Sequence, residues 1–377
     1  MNKIYSLVIE TFRKGIEGEK GILPDLTDEE KSEFLKLIKE QSLSVFLYKV
    51  YGTSEYKKTY LTSKIFENYV FKIKNEITSI LEAENIPFYF IKGVELKSIY
   101  KDSALRTMGD IDFVVFKEDF EKVHKLLALN GYKDDGDFAE NHIGITKNNV
   151  LIELHHNLVP NQSYFSSYFS EEKVKTNLDY KNHVLNNEYN FGFLLVHYIK
   201  HLSSGEGIRG LGDFYLLLRD NHVDKNKVLE VVNELKLTEF FNKLLNLLYI
   251  IFNYDEIPFT KVDNQSELIS FIFASGTHGK ANDFSAIEYQ YKNSKKTKIG
   301  FIFSRIFPSK NTMKVIYPIL YKRIWLLPVC YLHRPLKLLF SRNGRDKGKK
   351  VLAGKANATS VYDMFSINLD MIDKQAK

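Results

Sequence analysis

Residues 105–116 read Leu-Arg-Thr-Met-Gly-Asp-Ile-Asp-Phe-Val-Val-Phe, and this stretch decides how the rest of the chain is read. From Ile111 to Phe116 β-branched and aromatic residues dominate, which marks a strand. Alternation then puts Asp110 and Asp112 on one face and sends Ile111 and Phe113 into a core. Two carboxylates held this close repel each other unless a cation lies between them. Such a pair is what two-metal transfer to a phosphorus centre requires, although by itself it also fits a solvated strand edge.

Working outward, Phe88 to Ile91 is a short apolar run that reads as a buried strand. Lys92-Gly93 is its turn, and a helix is expected over Val94–Tyr100. A glycine at such a turn lets the backbone approach a phosphate, and the following helix N-terminus favours an anion. Downstream, Phe120–Asn130 is amphipathic and closed by Gly131. A hairpin follows, with strands His142–Thr146 and Val150–His155 around Lys147-Asn-Asn149. Glu153 is a carboxylate in an otherwise apolar strand, with His155 on its face and His142 in the partner strand. Arg106 stands just before the aspartates as a candidate triphosphate clamp.

On both sides of this unit the apolar period is helical. Thr27-Asp-Glu-Glu30 has capping-box spacing, and Phe34, Leu37, Ile38, Phe46 and Leu47 continue the pattern. Ile65, Tyr69, Ile73, Ile77, Ile80 and Leu81 form the stripe of a longer helix that ends at Asn85-Ile-Pro87. Four more helices are expected over 189–201, 211–220, 225–235 and 238–253. The chain therefore reads as α+β, with a small mixed sheet flanked by helical regions. The expected divisions are a helical lead-in at 1–62, a catalytic core at 63–160, a helical domain at 161–290 and a basic C-terminal segment at 291–377. The last twenty or so residues are expected to be weakly ordered.

The 28 Phe and 23 Tyr imply cores built largely on rings. The single cysteine, Cys330, excludes an intramolecular disulfide and points to a reducing cytoplasm. The apolar stretch Ile324–Leu332 is interrupted by Pro328 and falls far short of the roughly 20 residues that span a bilayer, so no transmembrane segment is expected. Between Lys292 and Lys355 there are 12 Lys and 5 Arg against Asp346 alone, a net +16, which leaves −10 on the rest of a chain whose total is +6. Such a segment suits an anionic partner, whether acceptor, RNA or the inner membrane face, and equally suits a solvated basic surface.

Three stretches together carry a resemblance: Phe90-Ile-Lys-Gly-Val-Glu-Leu-Lys-Ser-Ile-Tyr100, then Leu105 to Phe113, then Ile152-Glu-Leu-His155. They resemble the bacterial nucleotidyltransferase family proteins within the DNA polymerase beta-like superfamily. His197-Tyr-Ile-Lys-His201 and Gly207-Ile-Arg-Gly-Leu-Gly-Asp213 are similar to that group's second, helical signature. The resemblance implies Mg²⁺ (or Mn²⁺) held by Asp110, Asp112 and Glu153, and a nucleoside triphosphate such as ATP held by Lys92, Gly93, Arg106 and Gly109. It also implies an acceptor cleft near His155, His197, His201, Arg209 and Asp213. The acceptor would be a hydroxyl or phosphate, saccharide-linked by association; toxin-like transfer to RNA or protein, or a non-catalytic nucleotide-binding module, are the alternatives. Where relatives carry Gly-Ser or Gly-Gly at the phosphate turn, Gly93 is followed by Val94, so one hydroxyl contact is missing. The spacing supplies no third metal ligand for His197 and His201; Arg209 and Asp213, one helical turn apart, are expected to line the acceptor cleft, an ion pair between them being the alternative.

Overall fold

The computed structural model describes residues 2–138, 141–161, 163–202, 206–277, 323–340 and 361–367, with isolated positions at 307, 313, 317 and 320. It opens with α1 (Lys3–Glu17), α2 (Asp28–Glu40), α3 (Ser44–Tyr51) and the long α4 (Lys57–Ala83). The capping box at the start of α2 is formed: the Glu30 amide donates to Thr27 Oγ1 at 3.2 Å, and the Thr27 amide donates to Glu30 Oε2 at 3.1 Å. On α4 the stripe is buried from Ile73 onward, but Ile65 and Tyr69 are exposed, because the sheet lies only under the helix's second half.

The central sheet is mixed, in the order β1 (Phe88–Ile91), β2 (Asp110–Val115), β5 (Val150–His155), β4 (His142–Lys147), β3 (Lys133–Phe138). Only the β2–β5 pair is parallel. β1 leads into α5 (Gly93–Leu96), and β2 is followed by α6 (Phe120–Leu129). The helix expected over Val94–Tyr100 is shorter: α5 gives way to a 3₁₀ turn at Lys97–Ile99. Asn148 and Asn149 take positive φ, 51° and 62°, the conformation of a two-residue hairpin turn, and Asn is among the few residues that tolerate it.

The register fixes what each face carries. Ile91 lies opposite Asp112, Asp112 opposite Glu153, and Glu153 opposite Gly144 on its other side. Asp110, Asp112, Glu153, His155 and His142 therefore share one face. The other face presents Phe88, Phe90, Ile111, Phe113, Val115, Ile152 and Leu154, all fully buried against α4 and α6.

A second and larger core lies beyond the carboxylate face. After α7 (Glu171–Thr176) and a two-stranded ribbon (Leu178–Asp179 with Val184–Leu185) come α8 (Asn187–Leu202), α9 (Arg209–Arg219), α10 (Lys225–Glu234), α11 (Thr238–Phe252) and α12 (Gln265–Ser275). These helices pack with α1–α3: Phe12 touches both Phe46 and Phe252, and Tyr215 stacks on Phe252 with ring centroids 4.0 Å apart. Gly212 permits the approach of α9 to α1, since a Cβ there would meet the Phe12 ring at 2.8 Å.

In the basic segment the apolar spacing predicts two amphipathic helical patches, around 298–307 and 334–340, and the first lies outside the described residues apart from Phe307. The patch at Arg334–Phe340 belongs to α13 (Leu327–Phe340). No helix among the described residues is long and apolar enough to cross a membrane. At 361–367 Phe365 is fully buried against Phe240 and Phe271, and the Met364 carbonyl accepts from Lys243 at 2.5 Å. Residues 368–377 lie outside the described part.

Candidate active site

Asp110, Asp112 and Glu153 each place a carboxylate oxygen within 4.8 Å of the other two. Parallel pairing of β2 with β5 brings this about, for it sets Asp112 and Glu153 side by side in register. Asp112 is buried, while Asp110 and Glu153 remain partly accessible. Burial pushes the Asp110 carboxyl up to about 6, the charge of Asp112 works in the same direction, and Lys92 opposes it only in part. Burial also disfavours the Asp112 charge, but Lys92 and His155 outweigh it and hold this carboxyl well below its ordinary range. Glu153 is lowered against burial by the His155 hydrogen bond and the charge of Lys92. An all-oxygen donor set with one carboxyl still short of positive charge fits a hard divalent cation.

Lys92 is the cation that now lies among these groups. Its ammonium donates to Asp112 Oδ1 and lies 3.7 Å from Glu153 Oε2. Its backbone is in an unusual place for a non-glycine residue, φ 58° and ψ −128°. The left-handed position expected of a phosphate turn thus falls on Lys92, and Gly93 is needed for closeness instead, since a Cβ there would lie 3.2 Å from Met108 Cβ. Strain of this kind, of order 1–3 kcal/mol, persists where surroundings fix it, commonly at functional sites. Val94 is buried and offers no hydroxyl. Gly109 is exposed, with nothing within 4 Å of a notional Cβ.

His155 Nε2 lies 3.0 Å from Asp112 Oδ1 and 3.1 Å from Glu153 Oε2, while its buried Nδ1 has no hydrogen-bond partner among the described residues. The tautomer with hydrogen on Nε2 satisfies both carboxylates, so His155 orients them. His142 is its register partner, with ring centroids 5.0 Å apart.

The helical signature closes over the same face. His197 and His201 lie one turn apart on α8, their rings tilted by 52° with centroids 4.5 Å apart. Contrary to the spacing argument, a third potential ligand is present: Glu206, beyond the end of α8, has an oxygen within 4.8 Å of both imidazoles. The sequence hides it because Glu206 lies past the end of α8, outside the helical period that relates His197 to His201. Burial drives His197 well below its ordinary pKa and takes His201 down to about 4, with Lys92 adding to both shifts. Lys200 is exposed at the same helix end and feels Lys92, Glu153 and Asp112. A neutral imidazole can either donate its N–H to an anion or ligate a metal, and the nearby Lys92 and Lys200 charges oppose a further cation.

Arg209 and Asp213 make no ion pair with each other. Asp213 is taken by Arg106, whose Nε donates to its two oxygens at 2.8 and 3.0 Å, and by the Tyr100 hydroxyl at 2.7 Å. Arg209 instead donates to the Thr107 carbonyl and hydroxyl at 2.7 and 3.1 Å. The Arg106 side chain, read as a triphosphate clamp, is a buried tie between α9 and the loop that carries Asp110. Tyr100, Lys200 and Glu206 are additions to the sequence reading. Of these, Lys200 and Tyr100 had a sequence signal, their places inside His197-Tyr-Ile-Lys-His201 and at the end of the Phe90–Tyr100 stretch.

A mixed sheet that aligns three carboxylates beside a cationic strand-to-helix turn, under a basic helical cap, is the layout of a nucleotidyltransferase. A family model described as an uncharacterised nucleotidyltransferase matches residues 28–253, and the chain belongs to that family, as an enzyme that transfers nucleotidyl groups. The match takes in α2 through α11, and so both the sheet and the helical signature. No curated protein and no solved structure matches the chain.

Proposed function

We propose that this enzyme moves a nucleotidyl group from a nucleoside triphosphate, ATP among the candidates, to a hydroxyl or phosphate of its acceptor at the Asp110–Asp112–Glu153 face. The observation that carries this reading is the convergence of the three carboxylate oxygens. Mg²⁺ or Mn²⁺ held there would supply Lewis-acid polarisation of the α-phosphate and neutralise charge on the triphosphate. Lys92 exchanges its carboxylate partners for phosphate oxygens when the nucleotide arrives, and Lys200 with His201 holds the outer phosphates from above. His155 keeps Asp112 and Glu153 aimed at the shared position, and Glu153, still partly accessible, takes the proton of an acceptor hydroxyl. A bond forms between the acceptor oxygen and the α-phosphorus, the bond to the β-bridging oxygen breaks, and pyrophosphate leaves. Arg106, Asp213, Tyr100 and Arg209 fix the loop that presents Asp110. The basic segment recruits an anionic acceptor, a saccharide-linked phosphate being the reading kept from the resemblance.

The test is incubation of the purified chain with each α-labelled nucleoside triphosphate, Mg²⁺ or Mn²⁺ and a cell extract. Label transferred to an acceptor with release of pyrophosphate supports the proposal. Label that stays in nucleotide with all four triphosphates and both metals contradicts it.

A further inference from the structure

A cavity of about 530 Å³ opens away from the carboxylate face, within the size range of small-ligand sites. Five lysines line it: Lys49, Lys64, Lys74, Lys97 and Lys101. Three of them share two carboxylates. Lys49 and Lys64 lie 2.6 and 3.1 Å from Asp102, while Lys64 and Lys97 lie 3.2 and 3.4 Å from Glu67. Lys101 donates to a backbone carbonyl, that of Glu17, at 2.8 Å. Lys74 makes no ion pair among the described residues, and its ammonium sits 5.0 Å from the centre of the Phe90 ring. Glu95 also lines the cavity, but burial raises its carboxyl to about 8, so at neutral pH it offers Lys74 little charge. The walls therefore keep an excess of positive charge in a concave, partly desolvated space, where it acts on a ligand more strongly than on open surface.

We propose that this cavity binds a small phosphorylated anion, with phosphate oxygens on Lys74 and Lys101 and its organic part against Tyr60 and Phe71. The ammonium groups supply donors, and the two rings supply apolar surface. The site is separate from the catalytic one. Phe90, under Lys74, belongs to the apolar face of the sheet, whereas Ile91 is paired with Asp112 on the other. Two stretches join them: in the segment from Lys92 to Ser98, Lys92 reaches the carboxylates while Val94, Glu95, Lys97 and Ser98 line the cavity, and Tyr100, which also lines it, donates to Asp213. Occupancy would bear on the catalytic face through these stretches. The proposal does not depend on the reading of the carboxylate face.

Calorimetric titration of the full chain with inorganic pyrophosphate, and separately with adenosine monophosphate, both in chelator, tests it. One molecule of each probe should bind. Affinity should fall at least about tenfold in Lys74→Met/Lys101→Met, where the aliphatic stems remain, and should hold in Lys92→Met. Lys101→Glu, a change at an exposed position, should weaken both probes without any disturbance of the packing at Lys74. Failure of both probes to bind, unchanged affinity in the Lys74 and Lys101 variants, or loss of binding in Lys92→Met would overturn the assignment.

Discussion

The two faces of the five-stranded sheet come from the same few residues taken alternately, and they do opposite things. On one, Ile111, Phe113 and Ile152 have no exposed surface and pack against α4 and α6. On the other, Asp110, Asp112 and Glu153 crowd three carboxyls around one point, an arrangement that is repulsive until cations fill it. The apolar face holds the strands in register, and that register makes the charged face possible. A one-residue slip of β5 against β2 would take Glu153 away from Asp112 and turn Ile152 outward.

The largest contrast should come from adjacent positions. Asp112→Asn is expected to lower transfer on the order of 10³-fold or more while leaving the unfolding midpoint nearly unchanged, because the amide keeps the shape and loses the charge. Phe113→Ala should do the reverse, costing about 3–5 kcal/mol in denaturant unfolding while the protein that remains folded still binds divalent metal. Equal stability losses in the two variants would erase the distinction between the faces.

Lys92→Met sharpens the same comparison at the turn. It should raise the nucleotide KM about tenfold with a smaller change in kcat, the pattern of lost ground-state binding. An unchanged KM would leave Lys92 as a counter-ion for the carboxylates and nothing more.

Glu95 marks the border between the two faces. Its pKa in the folded protein, about 8, lies above the ordinary 4.5, so the stability it contributes is full below 4.5 and is lost as pH rises through 8. The thermal midpoint of the metal-free protein should therefore fall between pH 5 and 9. Glu95→Gln, which can still meet Asn190, should flatten that fall, and an equally steep profile would assign the dependence to other groups.

The smallest effect is expected outside the sheet. Trp325, the chain's single tryptophan, is 71% exposed beside α13 in the basic segment. If that segment meets an anionic surface, its emission should shift to the blue with anionic vesicles and stay put with neutral ones, more clearly at low salt. No shift with either would leave the segment a solvated basic surface.

What could be read from the sequence follows the same division. β1, β2, β4 and β5 were legible because each has an apolar face, and the hairpin because Asn148 and Asn149 suit its turn. β3 was missed: Lys-Asp-Asp-Gly-Asp-Phe shows no alternation, as befits an edge strand that charge protects from further pairing. The carboxylate set was legible because strand period and pairing suffice to assemble it. The partners of Asp213 were not, because Arg106 and Tyr100 reach it over more than a hundred residues of chain and nothing local signals the pairing. Glu206 was hidden too, since it lies past the end of α8 and no helical period relates it to His197 and His201.

Direct titration of Mn²⁺ into the full-length protein, followed by loss of the free-ion electron paramagnetic signal, tests the central claim most closely. Wild-type protein should take up Mn²⁺, and more tightly with a nucleoside triphosphate present, while Asp110→Asn/Asp112→Asn should take up none in the same range. Equal uptake by the two proteins would show that the three carboxylates are not where the metal binds.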